Sequence, residues 1–295
     1  MISAPTSFDV ICAGEALWAL VAPVRISAAR TRFHSAGGAV NAAVALARSG
    51  LRVGLAAALD DDAFGRALLA KVNAAGVDIG GVAFAPRRSG LVFVATAGAR
   101  RIVPYRTEDE PAVAVPAAWA APVLLLSGLS PALAAASGLC KAARSARRAG
   151  MVVVVDVNAR RHVWAGHDAR AIRAVLREAD VVRCSTEDLA GLRTDAAALR
   201  GAMRPGAVLV VTHGAGVARA QGSFGEIARA PQAIAAVDPA GAGDAFTAGV
   251  CLEVVRAGTH GSDRVELWDR ALRRGHAAAR ARMLMQHFAN DAINR

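Results

Sequence analysis

Six short apolar runs recur along the chain: FDVICAG (8–14), VGLAAAL (53–59), PVLLLSG (122–128), MVVVVDVN (151–158), DVVRCS (180–185) and AVLVVTHG (207–214). Longer stretches of helical periodicity separate them, near 39–49, 63–75, 131–149, 168–178, 195–203, 244–257 and 263–288. A strand that is apolar at nearly every position must be covered on both faces, and intervening helices supply that cover. The alternation therefore predicts an α/β protein built on a mostly parallel sheet.

One region breaks the pattern. Residues 81–106, GVAFAPRRSGLVFVATAGARRIVPYR, read as short strands joined by turns. With residues near 19–36 they predict a small antiparallel β-lid on the α/β body. No internal repeat and no low-complexity linker divides the chain, so residues 1–295 are read as one α/β body with that lid.

At 295 residues a full hydrophobic core is within reach, and 54% hydrophobic residues against 20% charged ones exclude a disordered chain. The four cysteines, Cys12, Cys140, Cys184 and Cys251, lie far apart and suit a reducing compartment. No basic leader precedes Asp9 and Glu15, and the apolar stretch Ala120–Leu139 is broken by Ser127-Gly128 and Ser130-Pro131. A cytoplasmic protein without a membrane partner is expected. The net charge of +11 comes almost wholly from scattered arginines, with only Lys71 and Lys141 as lysines. With aromatics at 4% and no clustered stripe, this is a basic surface that favours anionic ligands rather than a nucleic-acid binder.

The segment AVDPAGAGDAFTAGV (236–250) places Gly241, Ala242 and Gly243 directly before Asp244 at the start of an apolar helix. A helix start leaves backbone N–H groups unpaired and carries partial positive charge. Small residues there let an anion approach, so the N–H groups of Ala242, Gly243 and Asp244 can receive a phosphoryl group. Asp244 could take a proton from a nearby hydroxyl, and the helix start is expected to keep it ionised at neutral pH. Taken alone, the pattern suits an Asp that caps a core helix better. A P-loop is excluded because G-K-[ST] occurs nowhere.

A second stretch, SAGGAVNAAVALARSGLRVG (35–54), joins a diglycine turn to Asn41 and an apolar helix. Together, the diglycine-Asn helix near 40 and the D-x-x-G-A-G-D helix near 240 resemble the two signatures of the PfkB/ribokinase family of sugar kinases. The resemblance covers almost the whole chain. GEAL (14–17) and DVNARRHVW (156–164) look like the fructokinase and 2-keto-3-deoxygluconate kinase branches. DDDAFGRALLAKVNAAGVD (60–78), STEDL (185–189) and VVTHGAG (210–216) are similar to further family segments.

The resemblance implies a ribokinase-like three-layer α/β/α sandwich with a β-lid, often a homodimer through that lid. It implies Asp244 as base and Gly241, Ala242 and Gly243 as anion hole. Gly37, Gly38 and Asn41 would border the sugar, with Arg160 between sugar and phosphates. Asp188 would help hold Mg²⁺ through water, and Thr212, Gly214 and His276 would line the ATP site. A monovalent cation such as K⁺ is a further implied cofactor.

Several positions depart from the family pattern. Ala240 stands at a usual Thr, Asp188 at a usual Glu, Val217 at a common Gly and His276 at a common Asn. Ala19 replaces an Asp that binds sugar hydroxyls in fructokinase-like sequences, whereas VPYR puts Arg106 where keto-sugar-acid kinases face a carboxylate. Pro104 stands where that branch commonly has Tyr. The expected activity is ATP-dependent phosphorylation of a primary hydroxyl, with a 2-keto-3-deoxygluconate-like acid ahead of fructose. A nucleoside kinase and a catalytically weak sugar- or nucleotide-binding regulator are the alternatives. Trp164 is expected to pack a loop rather than touch ligand.

Overall fold

The computed structural model describes residues 6–22, 32–85, 90–95, 101–105, 113–131, 137–234, 239–258 and 264–294. All six apolar runs form strands: β2 (Val10–Gly14), β5 (Val53–Asp60), β10 (Val123–Ser127), β11 (Val152–Asp156), β12 (Val181–Ser185) and β13 (Val208–Thr212). With β6 (Val77–Ala85) they pair in parallel in the order β13-β12-β11-β10-β2-β5-β6. Two strands that the apolar pattern did not show, β14 (Ala218–Gly222) and β15 (Gly225–Arg229), extend the β13 edge antiparallel, and the two-residue strands β1 (Thr6–Ser7) and β9 (Trp119–Ala120) pair with each other in parallel.

Side chains alternate along each strand between two cores, as the two-residue period requires. Val10, Cys12, Leu125 and Val154 face one core, shared with the helices Gly38–Arg48, Ala63–Ala74, Ala242–Ala257 and Val265–Asn294. Ile11, Ala13, Leu124, Leu126, Val153 and Val155 face the other, under the helices Ser137–Arg148, Arg173–Leu176 and Ala196–Ala202. Fully burying a Leu or Val side chain contributes about 1.5–3 kcal/mol. The all-buried run of β10 is therefore held between two helical layers.

Helix starts carry the caps that the sequence offers. Asp62 accepts from Gly65 N at 2.7 Å and Asp195 from Ala198 N at 2.8 Å. At Thr186–Gly191, Ser185 and Asp188 form a reciprocal capping box. This helix and Arg161–Trp164 are too short to show a period in the sequence. The stretch expected as a helix over 168–178 is a 3₁₀ turn, Ala169–Ile172, followed by Arg173–Leu176.

A separate sheet has the order β4-β3-β7-β8, from β4 (Arg32–Ala36), β3 (Leu17–Ala22), β7 (Leu91–Ala95) and β8 (Arg101–Tyr105). It is mixed rather than antiparallel, because β3 and β7 run parallel. The expected lid boundary also moves. Residues 81–85 continue β6 on the large sheet, where pairing with β5 resumes past a bulge at Gly54/Ala56. Gly81 belongs inside that strand because a Cβ there would lie 2.6 Å from the Trp119 ring.

Candidate active site

From β2 the chain steps outward to β5 and β6, while β10 to β13 step the other way. Where successive crossovers diverge, a crevice opens beyond the carboxyl ends of the strands. Here it lies at the paired ends Gly14 and Ser127. The Gly38–Arg48 helix enters this crevice at a distance that only glycine allows. A Cβ on Gly38 would stand 2.2 Å from Ser127 Oγ and 2.7 Å from Asn158 Nδ2. Gly37 has φ 99° and its Cβ would meet Glu15 O at 2.2 Å.

Asp244 sits in the first turn of the Ala242–Ala257 helix and is 7% exposed. Asn41 Nδ2 donates to its Oδ2 at 2.8 Å, and Asn158 Nδ2 to its Oδ1 at 3.3 Å. Asn158 lies two residues beyond β11 in a left-handed backbone conformation, φ 43°. Burial pushes the Asp244 carboxyl up to about 6, Asp156 adds to the rise, and Asn41, Arg160 and Arg183 oppose it. The helix start was expected to hold this acid ionised; the larger effect is desolvation in the other direction. A carboxylate poised near 6 is still mostly charged at pH 7 and accepts a proton more readily than an ordinary one.

Beneath it lies a buried charge network. Arg183 Nη1 donates to Asp156 Oδ1 at 3.1 Å and Nη2 to Thr212 Oγ1 at 2.7 Å. Thr247 Oγ1 donates to the other Asp156 oxygen at 2.7 Å. Burial pushes Asp156 up and the Arg183 guanidinium opposes that rise. Sequence reasoning gave no role to Arg183, Asn158 or Thr247. The available signal was the charge inside DVVRCS, since an arginine in a buried parallel strand needs a partner.

The Gly-Ala-Gly-Asp turn begins at Gly241, φ 74°. Ala242 N donates to Pro239 O at 3.0 Å, so one of the three N–H groups expected in the anion hole is committed within the turn. The N–H groups of Gly243 and Asp244 remain the candidates. Guanidinium groups pack against both glycines. A Cβ on Gly241 would lie 3.1 Å from Arg282 Nε, and one on Gly243 would lie 3.3 Å from both Arg183 terminal nitrogens. Asp238, the first acid of the D-x-x-G-A-G-D pattern, lies outside the described residues.

Of the remaining expected residues, Arg160 and Asp188 come together: Arg160 Nη1 is 3.9 Å from Asp188 Oδ1. Asp188 Oδ2 accepts from Ser185 N at 2.7 Å and from Ser185 Oγ at 2.8 Å. Its Oδ1 is buried without a hydrogen-bond partner, which suits a water of a hydrated Mg²⁺. Among the described residues no group of three acidic, His or Cys side chains could hold a metal, so such an ion would rest mainly on phosphate and water.

Thr212 is buried with its hydroxyl held by Arg183, while Gly214 turns the chain with φ 49° and open space around it. His276 bonds Arg229 O at 2.9 Å and meets the Phe246 ring edge-on; burial lowers its pKa and the bond to Arg229 O opposes that. Arg106 lies outside the described residues. Trp164 is 3% exposed and donates to Leu129 O at 3.0 Å, a packing role as expected.

A buried carboxylate beside a glycine turn at a helix start, beyond the ends of parallel strands, is an arrangement that suits phosphoryl transfer in an α/β protein. Comparison with known proteins narrows the class. The pfkB family carbohydrate kinase profile matches residues 7–287, and the chain belongs to that family. It is similar to a fructokinase of Rhizobium leguminosarum bv. trifolii, 28% identical over 255 residues, 82% of this chain and 78% of the relative. Among solved structures it resembles the fructokinase with bound ATP from Xylella fastidiosa: 25% identity, 92% of this chain and 90% of that one, TM-score 0.80. It also resembles a PfkB protein from Polaromonas sp. JS666: 28% identity, 92% and 94% coverage, TM-score 0.71. The protein is thus a sugar kinase, a phosphotransferase that acts on a sugar hydroxyl.

Proposed function

We propose that the chain transfers the γ-phosphate of ATP to a primary hydroxyl of a small sugar or keto-sugar acid. The observation that carries this reading is the joint hold of Asn41 and Asn158 on Asp244 at the strand-end crevice. Asp244 would take the hydroxyl proton as the phosphoryl group moves to the Gly241–Gly243 turn, whose donors meet the charge that develops. Arg160 would stand between sugar and phosphates. Mg²⁺ would neutralise the phosphates, with Asp188 Oδ1 holding one of its waters. A monovalent cation such as K⁺ completes the proposed cofactor set.

A 2-keto-3-deoxygluconate-like acid is the first substrate to test and fructose the second. Ala19, buried in β3, has no group to bind a sugar hydroxyl, which weighs against fructose. The fructokinase relatives weigh for it. The small sheet serves as the lid in this reading. Phe33 and Phe93, 51% and 40% exposed on its strands, make it the proposed surface of a homodimer. No helix among the described residues is long and apolar enough to cross a membrane, and a cytoplasmic location is part of the proposal.

The test is ADP release from Mg·ATP with 2-keto-3-deoxygluconate, fructose, ribose, other sugar acids and nucleosides, with Asp244→Asn as blank. One strong sugar or sugar-acid hit that the variant loses supports the reading and names the substrate class. A nucleoside as the only hit replaces it with a nucleoside kinase. ATP and sugar binding without ADP release replaces it with a binding protein.

A further inference from the structure

The end of one central strand holds the helix that carries Asp244 at two points. Asp156 closes β11, and Asn158 follows it by two residues. Asn158 Nδ2 donates to Asp244 Oδ1 at 3.3 Å, and Thr247 Oγ1 donates to Asp156 Oδ2 at 2.7 Å. Asp244 and Thr247 stand three residues apart in the Ala242–Ala257 helix and so share one face of it.

The two contacts differ in kind. Asp244 borders the crevice, whereas Thr247 and Asp156 are both fully buried. Thr247 Oγ1 also lies 3.2 Å from Gly243 O, one turn earlier. A hydroxyl has one proton to give, and the carboxylate, nearer and charged, takes it ahead of the carbonyl. A threonine inside a helix ordinarily turns its hydroxyl back on its own helix. This one instead ties the first turn, with Gly243 and Asp244, to the sheet. Each oxygen of Asp156 then has one donor, Arg183 from β12 and Thr247 from the helix.

We propose that Thr247 is a positioning residue of the transfer, its bond to Asp156 fixing Gly243 and Asp244 at the strand ends. This deepens the kinase reading above and rests on it. The same bond bears on the basicity of Asp244. Burial and then the charge of Asp156 raise the Asp244 carboxyl, and Asn41, Arg160 and Arg183 oppose the rise. Burial raises Asp156 in turn, Arg183 opposes that, Asp188 adds to it, and the Thr247 bond opposes it. From the last helix, Arg282 comes against Gly241 at the opening of the turn. Without the Thr247 hydroxyl, Asp156 competes for the proton that Asp244 would otherwise hold, and Asp244 titrates lower.

The test compares wild type, Thr247→Val and Thr247→Ser by kcat, KM for ATP, the acid limb of kcat/KM and thermal melts. Valine keeps the branched shape and loses only the hydroxyl, while serine keeps the hydroxyl. Thr247→Val should lower kcat about 10-fold to 100-fold and move the acid limb to lower pH. KM for ATP should stay unchanged, the pattern of an interaction made only in the transition state. Thr247→Ser should restore most of the turnover and return the limb. An acid limb that stays in place or moves upward in Thr247→Val overturns the proposal, whatever the melting temperature does. Unchanged kcat overturns it as well, and so does a serine variant no better than valine. If wild type phosphorylates no compound in the panel, the kinase reading fails by itself, and melts decide the link to Asp244. Asp244→Asn should then gain less in melting temperature at pH 7.5 in the Thr247→Val background than in wild type. An equal gain in both backgrounds overturns the link.

Discussion

Asn41 Nδ2 lies 2.8 Å from Asp244 Oδ2, joining two residues 203 positions apart. The bond links the Asn of the diglycine-Asn stretch to the acid of the Gly-Ala-Gly-Asp turn. It stabilises the charged form of a carboxyl that burial pushes toward neutrality. Asn41→Ala should therefore lower turnover about 10-fold to 100-fold and displace the acid limb of the pH–rate profile upward. Asn41→Asp, which places a second carboxylate against the first, should displace it further. An unmoved acid limb in both variants would show that the bond does not tune the base.

The pH dependence follows from the direction of the Asp244 shift. If Asp244 is the base, as proposed, its carboxyl, raised to about 6, must be ionised to accept a proton. Activity should fall about tenfold per pH unit below 6 and level off above 7, when kcat/KM is measured with substrates that do not titrate in that range. A limb near 4 would mean that the native site does not desolvate this group.

The same shift makes a stability prediction of opposite sense. The native carboxyl titrates near 6 and an unperturbed one at 3.8, so between those values the native state binds more protons than the unfolded state. Stability must then fall as pH rises through that window, by on the order of 3 kcal/mol at most. Asp244→Asn removes this cost. It should abolish most turnover, by roughly 10²–10⁴, while melting higher than wild type at pH 7.5. The advantage should vanish near pH 4. A variant that melts lower at every pH would assign Asp244 a structural role.

The sheet was legible because β2, β10 and β11 are apolar at almost every position, a pattern that only a doubly covered strand needs. β14 and β15 were not legible. Their sequences, ARAQG and GEIAR, mix charged and small residues because an antiparallel edge exposes one side to solvent. At the site, Asp244 and Asn41 stood out through the glycines beside them. Arg183 did not, because its partners Asp156 and Thr212 end neighbouring strands, and adjacency across a sheet depends on strand order. Asn158 was hidden for a related reason: its left-handed φ of 43° aims it at Asp244.

The Arg183–Asp156 pair should behave as a buried ion pair that tolerates joint removal better than single removal. Arg183→Met leaves Asp156, which has no exposure, as an unanswered carboxylate, at a cost of about 3–5 kcal/mol. Asp156→Asn strands the guanidinium instead. The double variant should cost less than the sum of the two, a coupling that urea titrations of the four proteins would measure. Additive losses would mean that the two charges are stabilised independently, by groups other than each other.

Gly38 offers a way to disturb Asp244, the proposed base, without touching it. A Cβ there would sit 2.7 Å from Asn158 Nδ2, and Asn158 is one of the two donors to Asp244. It would also sit 2.2 Å from Ser127 Oγ and 3.1 Å from Gly128 N, so the helix cannot simply slide toward the strand ends. The flexible partner is the Asn158 amide, and Gly38→Ala should push it off Asp244. Backbone strain adds little, because Gly38 is helical and alanine suits a helix better than glycine by about 1 kcal/mol. The expected result is a melting temperature lowered by the crowding at Ser127 and Gly128, worth about 1–3 kcal/mol, with turnover reduced about 10-fold or more and a displaced acid limb. Pairing it with Asn158→Ala makes the argument specific: if the glycine acts through Asn158, the double variant should be no slower than Asn158→Ala alone. A further loss in the double variant would instead locate the effect at Ser127.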